Sequence, residues 1–288
     1  MKALMTILCL VWGFNFIIMK LGNGVVPPVM FAALRFLTGA VVLLGVCAAL
    51  KIPMPNKSEW KWYVLCGLLQ TTYFNIAIQI SLNYISAGLT SMLTYSMPLF
   101  LSIMAHKWIP GEQLTLKKML GIGLGLLGLC MSMNIGLEGS SWAILLALSS
   151  AISWAAANVL FKVKLKNSDT LSYTTWQMVI GAVGLLMVSF FFESGEMQWG
   201  VMPVVYILFA GVVASAFAFM LWNHVLSHVE ASKASISLLM VPIVGVISGC
   251  LFLNEALEWM TLVGMLFVLA GIWLVNRKGT RESPVTRM

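Results

Sequence analysis

The sequence predicts an all-α membrane protein of ten transmembrane helices, arranged as two inverted five-helix repeats. Three observations lead there: a composition suited to lipid, ten apolar runs of helical length, and an internal duplication that halves the chain. Of its 288 residues, 60% are hydrophobic and 9% charged, against roughly 45–50% and about 25% in soluble globular chains. Water would not dissolve such a surface; a bilayer does.

Apolar runs of about 20 residues lie near 3–21, 29–50, 60–82, 86–107, 117–135, 141–161, 171–192, 201–224, 231–253 and 259–276. Each is long enough to cross a hydrocarbon core of ~30 Å at 1.5 Å per residue. The first run reads as a span, since no small-residue cleavage site and no polar domain follow it. The runs group into a first repeat over 1–136, a second over 137–276, and a polar, basic cytoplasmic tail over 277–288.

The duplication is visible residue by residue. Pro98 is followed by Glu112, Leu114, Gly121 and Gly128, and Pro242 by Glu255, Leu257, Gly264 and Gly271. Ser91 and Ala87 precede the first proline as Ser235 and Ala231 precede the second. Trp12 and Asn15 answer Trp154 and Asn158, while Arg35, Gly39 and Ala40 answer Gln177, Gly181 and Ala182. With five spans per copy, an odd number, the second copy enters the membrane from the opposite face. Folds of this kind place a small-molecule site near the midplane, between the repeats, and open it to either side by rocking.

Charge sets the orientation. With ten spans, the even-numbered connections and both termini share one side, which collects fifteen of the seventeen basic residues. The other side carries Glu138, Glu193, Glu196, Glu255 and Glu258. The positive-inside bias puts both termini in the cytoplasm of a multi-pass protein of the cytoplasmic membrane. It also accounts for the formal net charge of +7 without nucleic acid as a partner.

The segments "VWGFNFIIMK" (11–20), "ALRFLTGA" (33–40) and "SMPLFLSIMAHKWIPGEQLTLKKMLGIGLGLLG" (96–128) resemble the drug/metabolite transporter superfamily, in its ten-helix EamA-type branch. The second-half segment 221–271 is similar to the same family's hallmark. The resemblance covers both repeats. It implies a secondary transporter of small metabolites in the inner membrane, often amino acids or their relatives, without naming a substrate. One departure is Ile109-Pro110-Gly111 before Glu112, where members more often show a leucine–glycine pair.

Candidate contacts to a substrate are the polar and aromatic groups deep in the spans. Trp12 with Asn15, and Trp154 with Asn158, each share a helical face; they line a pocket or pack helices together. Asn75 and Gln79 on the third span, Tyr95 on the fourth and Gln177 on the seventh extend this set. Arg35 lies ~9 Å inside the outer end of its span. It either snorkels to headgroups or holds a carboxylate in a bidentate pair, which suits a zwitterion or organic anion. Lys20, one residue from its helix end, reads as a snorkelling side chain.

All ten carboxylates fall in loops or at span ends, so no acidic proton relay crosses the membrane. Facilitated diffusion or exchange is the expectation. Pro98 and Pro242 should kink the fourth and ninth spans, as hinges or as static bends. The glycines of the fifth and tenth spans point to close packing within each repeat, or to a dimer face; a monomer or weak homodimer is expected. The five cysteines show no metal-ligand spacing, and no phosphate-cradling motif occurs, so no metal or cofactor is expected. An intramembrane enzyme would need a base or metal ligands at mid-span. A membrane sensor or scaffold without flux is the alternative reading.

Overall fold

The computed structural model describes residues 1–81, 84, 85, 90, 93–132, 141–253 and 259–276. Among these the regular structure is helical throughout. The elements are α1 (Ala3–Asn23), α2 (Pro28–Ala49), α3 (Trp60–Ser81), α4 (Met97–Trp108), α5 (Leu116–Ser132), α6 (Ser141–Lys164), α7 (Thr170–Phe192), α8 (Val201–His228), α9 (Ala231–Phe252) and α10 (Trp259–Val275). Seven of them, α1–α3 and α6–α9, are long and apolar enough to cross a membrane. Of the other three, α5 and α10 adjoin residues outside the described set. Glu138, Glu255, Glu258, Ala87, Ser91 and the basic tail also lie outside the described residues.

Local sequence explains how several helices start and stop. α2 opens on Pro28, where a missing N–H breaks no helical bond. Glu193, just past the end of α7, accepts the backbone amides of Val29 (2.8 Å) and Met30 (2.7 Å), capping α2 from the other half of the chain. Asp169 caps its own helix by accepting the amide of Ser172 at 2.8 Å, the usual role of a short acceptor side chain at that position.

The prolines do not kink continuous helices. A turn at Tyr95–Ser96 precedes Met97, and one at Leu238–Leu239 precedes Met240. Pro98 and Pro242 then fall within the first turn of the resumed helix, where proline is tolerated. The chain breaks just before each proline, at matching places in the two halves.

A second matched irregularity has no signal in the hydropathy. α3 winds as a π-helix over Leu68–Tyr73 and α8 over Phe209–Phe217. Both π segments occupy the third helix of their half and pack against the second helix of the opposite half. A Cβ built on Gly39 of α2 would lie 2.8 Å from the carbonyl oxygen of Gly211, so only glycine lets those backbones meet.

The helix pairings recur when the halves are exchanged. α1 packs on α9 and α8, as α6 packs on α4 and α3; α2 packs on α8, as α7 packs on α3. Two pairings map onto themselves, α2 with α7 and α5 with α10. The last corrects the expected role of the glycines. Gly121, Gly128, Gly264 and Gly271 join α5 to α10 across the halves, not within one repeat. A Cβ at Gly121 would stand 2.8 Å from the Gly271 carbonyl oxygen.

Candidate functional site: a cavity between the two halves

α1 and α9 run side by side in the same direction. The Cys9 thiol meets the Ser237 carbonyl (3.5 Å), Gly13 lies against Val241 and Val244, and Gly245 faces Phe16. The starts of α1 and α9 therefore share one end of the bundle. A cavity of about 550 Å³ occupies the other end, within the ~300–1,000 Å³ typical of small-molecule sites.

One face of α1 forms a wall from mid-helix to its last turn: Trp12, Asn15, Phe16, Met19, Lys20 and Asn23. Arg35 of α2, Asn75 and Gln79 of α3, Thr94 and Tyr95, Trp154 of α6, Phe219 of α8 and Pro242 of α9 complete it. The cavity reaches the surface where Lys20 is exposed.

The inner floor is aromatic. Trp12 meets Trp154 edge to face at 5.8 Å between ring centroids, and Phe219 at 5.3 Å. Trp154 meets Phe74 at 5.1 Å. Trp222 backs both tryptophans, at 6.3 and 6.2 Å, without lining the cavity. The Trp12 indole N–H donates to the carbonyl of Ala214, 3.0 Å away in the α8 π segment. The indole N–H of Trp154 has no acceptor among the described residues.

Arg35 is the charged group of the inner wall and is only 7% exposed. Its Nη2 donates to Asn75 Oδ1 at 2.8 Å, its Nη1 approaches the Met19 sulfur at 3.6 Å, and its guanidinium lies 4.6 Å from the centre of the Phe36 ring. Asn75 is itself held by a 2.7 Å bond from its amide to the carbonyl of Thr71, in the α3 π segment. Among the described residues no carboxylate pairs with Arg35. A buried guanidinium without a counter-ion favours an anionic guest.

Of the residues singled out from sequence, Trp12, Asn15, Arg35, Asn75, Gln79, Tyr95, Trp154 and Pro242 come together on this cavity. Asn158, Gln177 and Pro98 do not. Asn158 Oδ1 accepts the Trp222 indole N–H at 3.1 Å, and Gln177 Nε2 donates to the Thr71 hydroxyl, both buried in the core. Lys20, expected at the headgroups, lies on the cavity rim, and Phe16, Met19, Asn23 and Phe219 were missed. The signal for Phe16, Met19, Lys20 and Asn23 was present: they continue the three-to-four residue spacing of Trp12 and Asn15 along α1.

The end of the bundle opposite the cavity mouth is closed by charge. Ile109, Pro110, Gly111 and Glu112 make a tight turn, with Gly111 at φ +85° and the Glu112 amide 3.2 Å from the Ile109 carbonyl. Proline then glycine is the pattern of a type II turn, and the positive φ favours glycine. The turn delivers Glu112 to the start of α9. Its carboxylate accepts the amides of Ala231 (2.6 Å) and Ser232 (3.2 Å) and the Ser232 hydroxyl (2.9 Å). Lys162 of α6 pairs with it at 3.1 Å. Alongside, Glu230 pairs with Lys118 and Lys233, each at 2.8 Å. Burial raises the Glu230 carboxyl, but the hydrogen bonds and charges of the two lysines outweigh it and hold the group below its ordinary value.

Comparison with known proteins follows the same lines. The sequence profile of the EamA-like transporter family matches residues 2–134 and 141–277. The chain is 31% identical to the uncharacterized transporter YoaV of Bacillus subtilis over 92% of each chain. It is 25% identical to a probable amino-acid metabolite efflux pump of Escherichia coli, over 94% of this chain and 93% of that one. A crystal structure with 17% sequence identity superposes with a TM-score of 0.81 over 95% of each chain, which shows a shared fold. Family and relatives are transporters and not enzymes. The chain therefore belongs to the EamA-like transporter family of the drug/metabolite transporter superfamily, as a multi-pass membrane protein.

Proposed function

We propose that this protein is a secondary transporter that moves amino acids or related zwitterions and organic anions across the cytoplasmic membrane, in the direction of efflux. The observation that carries this reading is Arg35: a buried cation, aimed by Asn75, on the wall of a cavity with an aromatic floor and no carboxylate partner among the described residues. A substrate carboxylate supplies the missing charge, and its apolar part rests on Trp12, Trp154 and Phe219. The efflux direction is supported by relatives named as probable amino-acid metabolite efflux pumps.

Ten spans in two inverted repeats, working by alternating access, are the architecture we assign. Helix pairings that recur on exchange of the halves support it, as do the matched turns before Pro98 and Pro242, which serve as hinges. Both termini face the cytoplasm, on the positive-inside argument. The cavity mouth then faces outward, and the Glu112 cluster closes the inner side. With α5 and α10 spending their glycines on each other, the monomer is the working unit. Described carboxylates are absent from the cavity wall, which supports exchange or facilitated diffusion.

Flux of labelled amino acids and simple carboxylates in proteoliposomes tests this. Arg35→Gln should lower apparent affinity about ten- to a hundredfold, the worth of a charge-assisted bond, with Lys57→Gln unchanged. No flux in the parent protein would favour a sensor or scaffold instead. Orientation is checked by impermeant thiol labelling from outside intact cells: Glu196→Cys should react, Lys57→Cys and Lys164→Cys should not.

A further inference from the structure

α8 ends on a pair of histidines that take no part in the cavity wall. His224 and His228 stand four residues apart, on one face of the last turn. Both are exposed, and their rings lie 4.4 Å apart between centroids, tilted by 39°. Two imidazoles held this close would repel if both were protonated. As neutral rings each offers a lone pair, and two histidines at this spacing on a helix can place their nitrogens on one metal ion.

The hydrogen bonds fix how His228 is presented. Its Nδ1 lies 2.8 Å from the His224 carbonyl oxygen and 2.9 Å from the Ser227 hydroxyl. A carbonyl only accepts, so Nδ1 carries the proton and donates it there. The Ser227 hydroxyl donates to the same carbonyl at 2.8 Å. Nε2 of His228 is thereby left with its lone pair. Metal-binding histidines are held in this way, with the second ring nitrogen donating to a carbonyl that orients the ring. The ring nitrogens of His224 take no hydrogen bond among the described residues, so either is free to turn to the same ion.

We propose that His224 and His228 form a binding site for a divalent transition-metal ion of the Zn²⁺, Ni²⁺ or Cu²⁺ class. Imidazole nitrogen suits these ions, whereas Mg²⁺ and Ca²⁺ require oxygen ligands. Among the described residues no third histidine, cysteine or carboxylate joins the pair, so water fills the remaining positions. Structural zinc sites are closed by four protein ligands; this two-ligand site is open and exchanges its ion. Its place in the fold gives the ion a consequence. Just beyond His228, the Val229 carbonyl accepts Lys162 Nζ at 2.6 Å, and Glu230 pairs with Lys118 and Lys233. The ion staples the last turn of α8 where the chain is tied to α6 and α5 and enters α9. Because it binds that turn wound and not unwound, it stabilises the folded protein by mass action.

Metal titration tests this without any substrate, so the result stands apart from what the protein transports. Full-length protein, purified without a histidine tag, is titrated in detergent with Ni²⁺, Zn²⁺ and Mg²⁺, by calorimetry and by thermal unfolding. Ni²⁺ should bind at one ion per chain and raise the unfolding midpoint by about 2–4 °C or more at saturation. Zn²⁺ should do the same, and Mg²⁺ neither. His224→Asn and His228→Asn should each weaken binding by about tenfold or more, since even the groups behind a metal-ligating histidine are worth about 10–100-fold. Both side chains are exposed, so these variants keep the fold. His106→Asn, which removes the third histidine of the chain, should bind as the parent does. All variants keep the five cysteines, which separates binding at thiols from binding at the pair. Absence of Ni²⁺ and Zn²⁺ binding in the parent, or binding unchanged when both histidines are replaced, overturns the proposal.

Discussion

The guanidinium of Arg35 and the side-chain carbonyl of Asn75 are joined at 2.8 Å, with the Asn75 amide committed to the Thr71 carbonyl. The second bond decides which way the asparagine points, so Asn75 presents its oxygen to Arg35 and leaves the cation uncompensated. Asn75→Asp places a carboxylate there and supplies an internal counter-ion. Substrate affinity should fall about ten- to a hundredfold. Asn75→Leu, which frees the guanidinium without neutralising it, should lower affinity less. Binding of a labelled amino acid in detergent separates the two; a larger loss in the leucine variant would contradict this role.

The two ion clusters at the closed end should differ in strength. Glu112 is almost wholly buried beside a largely buried Lys162, and removing one partner of such a pair typically destabilises by roughly 3–5 kcal/mol. The Glu230 carboxylate is 38% exposed, and its buried partner Lys118 keeps a second bond to the Gln113 carbonyl at 2.7 Å; at exposed pairs about 0–1 kcal/mol is usual. Thermal unfolding should therefore show Glu112→Gln well below the parent and Glu230→Gln close to it.

Glycines that look alike in sequence should tolerate change very differently. A side chain at Gly128 would run into the backbone of α10, 2.8 Å from the Val268 amide, while nothing lies within 4 Å of a Cβ at Gly123. Gly128→Val should abolish folded yield, and Gly123→Val should leave it near the parent, as judged by monodispersity in detergent.

Pro98→Ala and Pro242→Ala should insert normally yet slow transport. Alanine lets the helix continue back through the turns at Tyr95–Ser96 and Leu238–Leu239, restoring backbone bonds that proline cannot make. Unchanged rates in both single variants and in the double variant would assign these turns a static role.

Much of the wall was legible because it rests on periodicity. Trp12 and Asn15 share a face, and Arg35, Asn75 and Gln79 are polar groups where lipid-facing residues would be apolar. Lys20 was misplaced because its position near a helix end fits a headgroup as well as a vestibule rim, and one sequence does not say which way the helix is turned. Asn158 and Gln177 are paired with the wall by symmetry, yet Trp222 and Thr71 take up their side chains in the core, contacts between distant parts of the chain that leave no mark in the periodicity.

The π segments of α3 and α8 have a bearing on which changes of length such a protein tolerates. Each π turn holds roughly one residue more than an α turn, so trimming one residue from Leu68–Tyr73 would let the turn close to α geometry with Asn75 and Gln79 still facing Arg35. The same deletion in a plain α-helix would rotate everything after it by about 100°. A codon lost within Phe209–Phe217 would be absorbed in the same way, ahead of Phe219. The wide turns are thus the places where the chain can lose a residue and keep its wall.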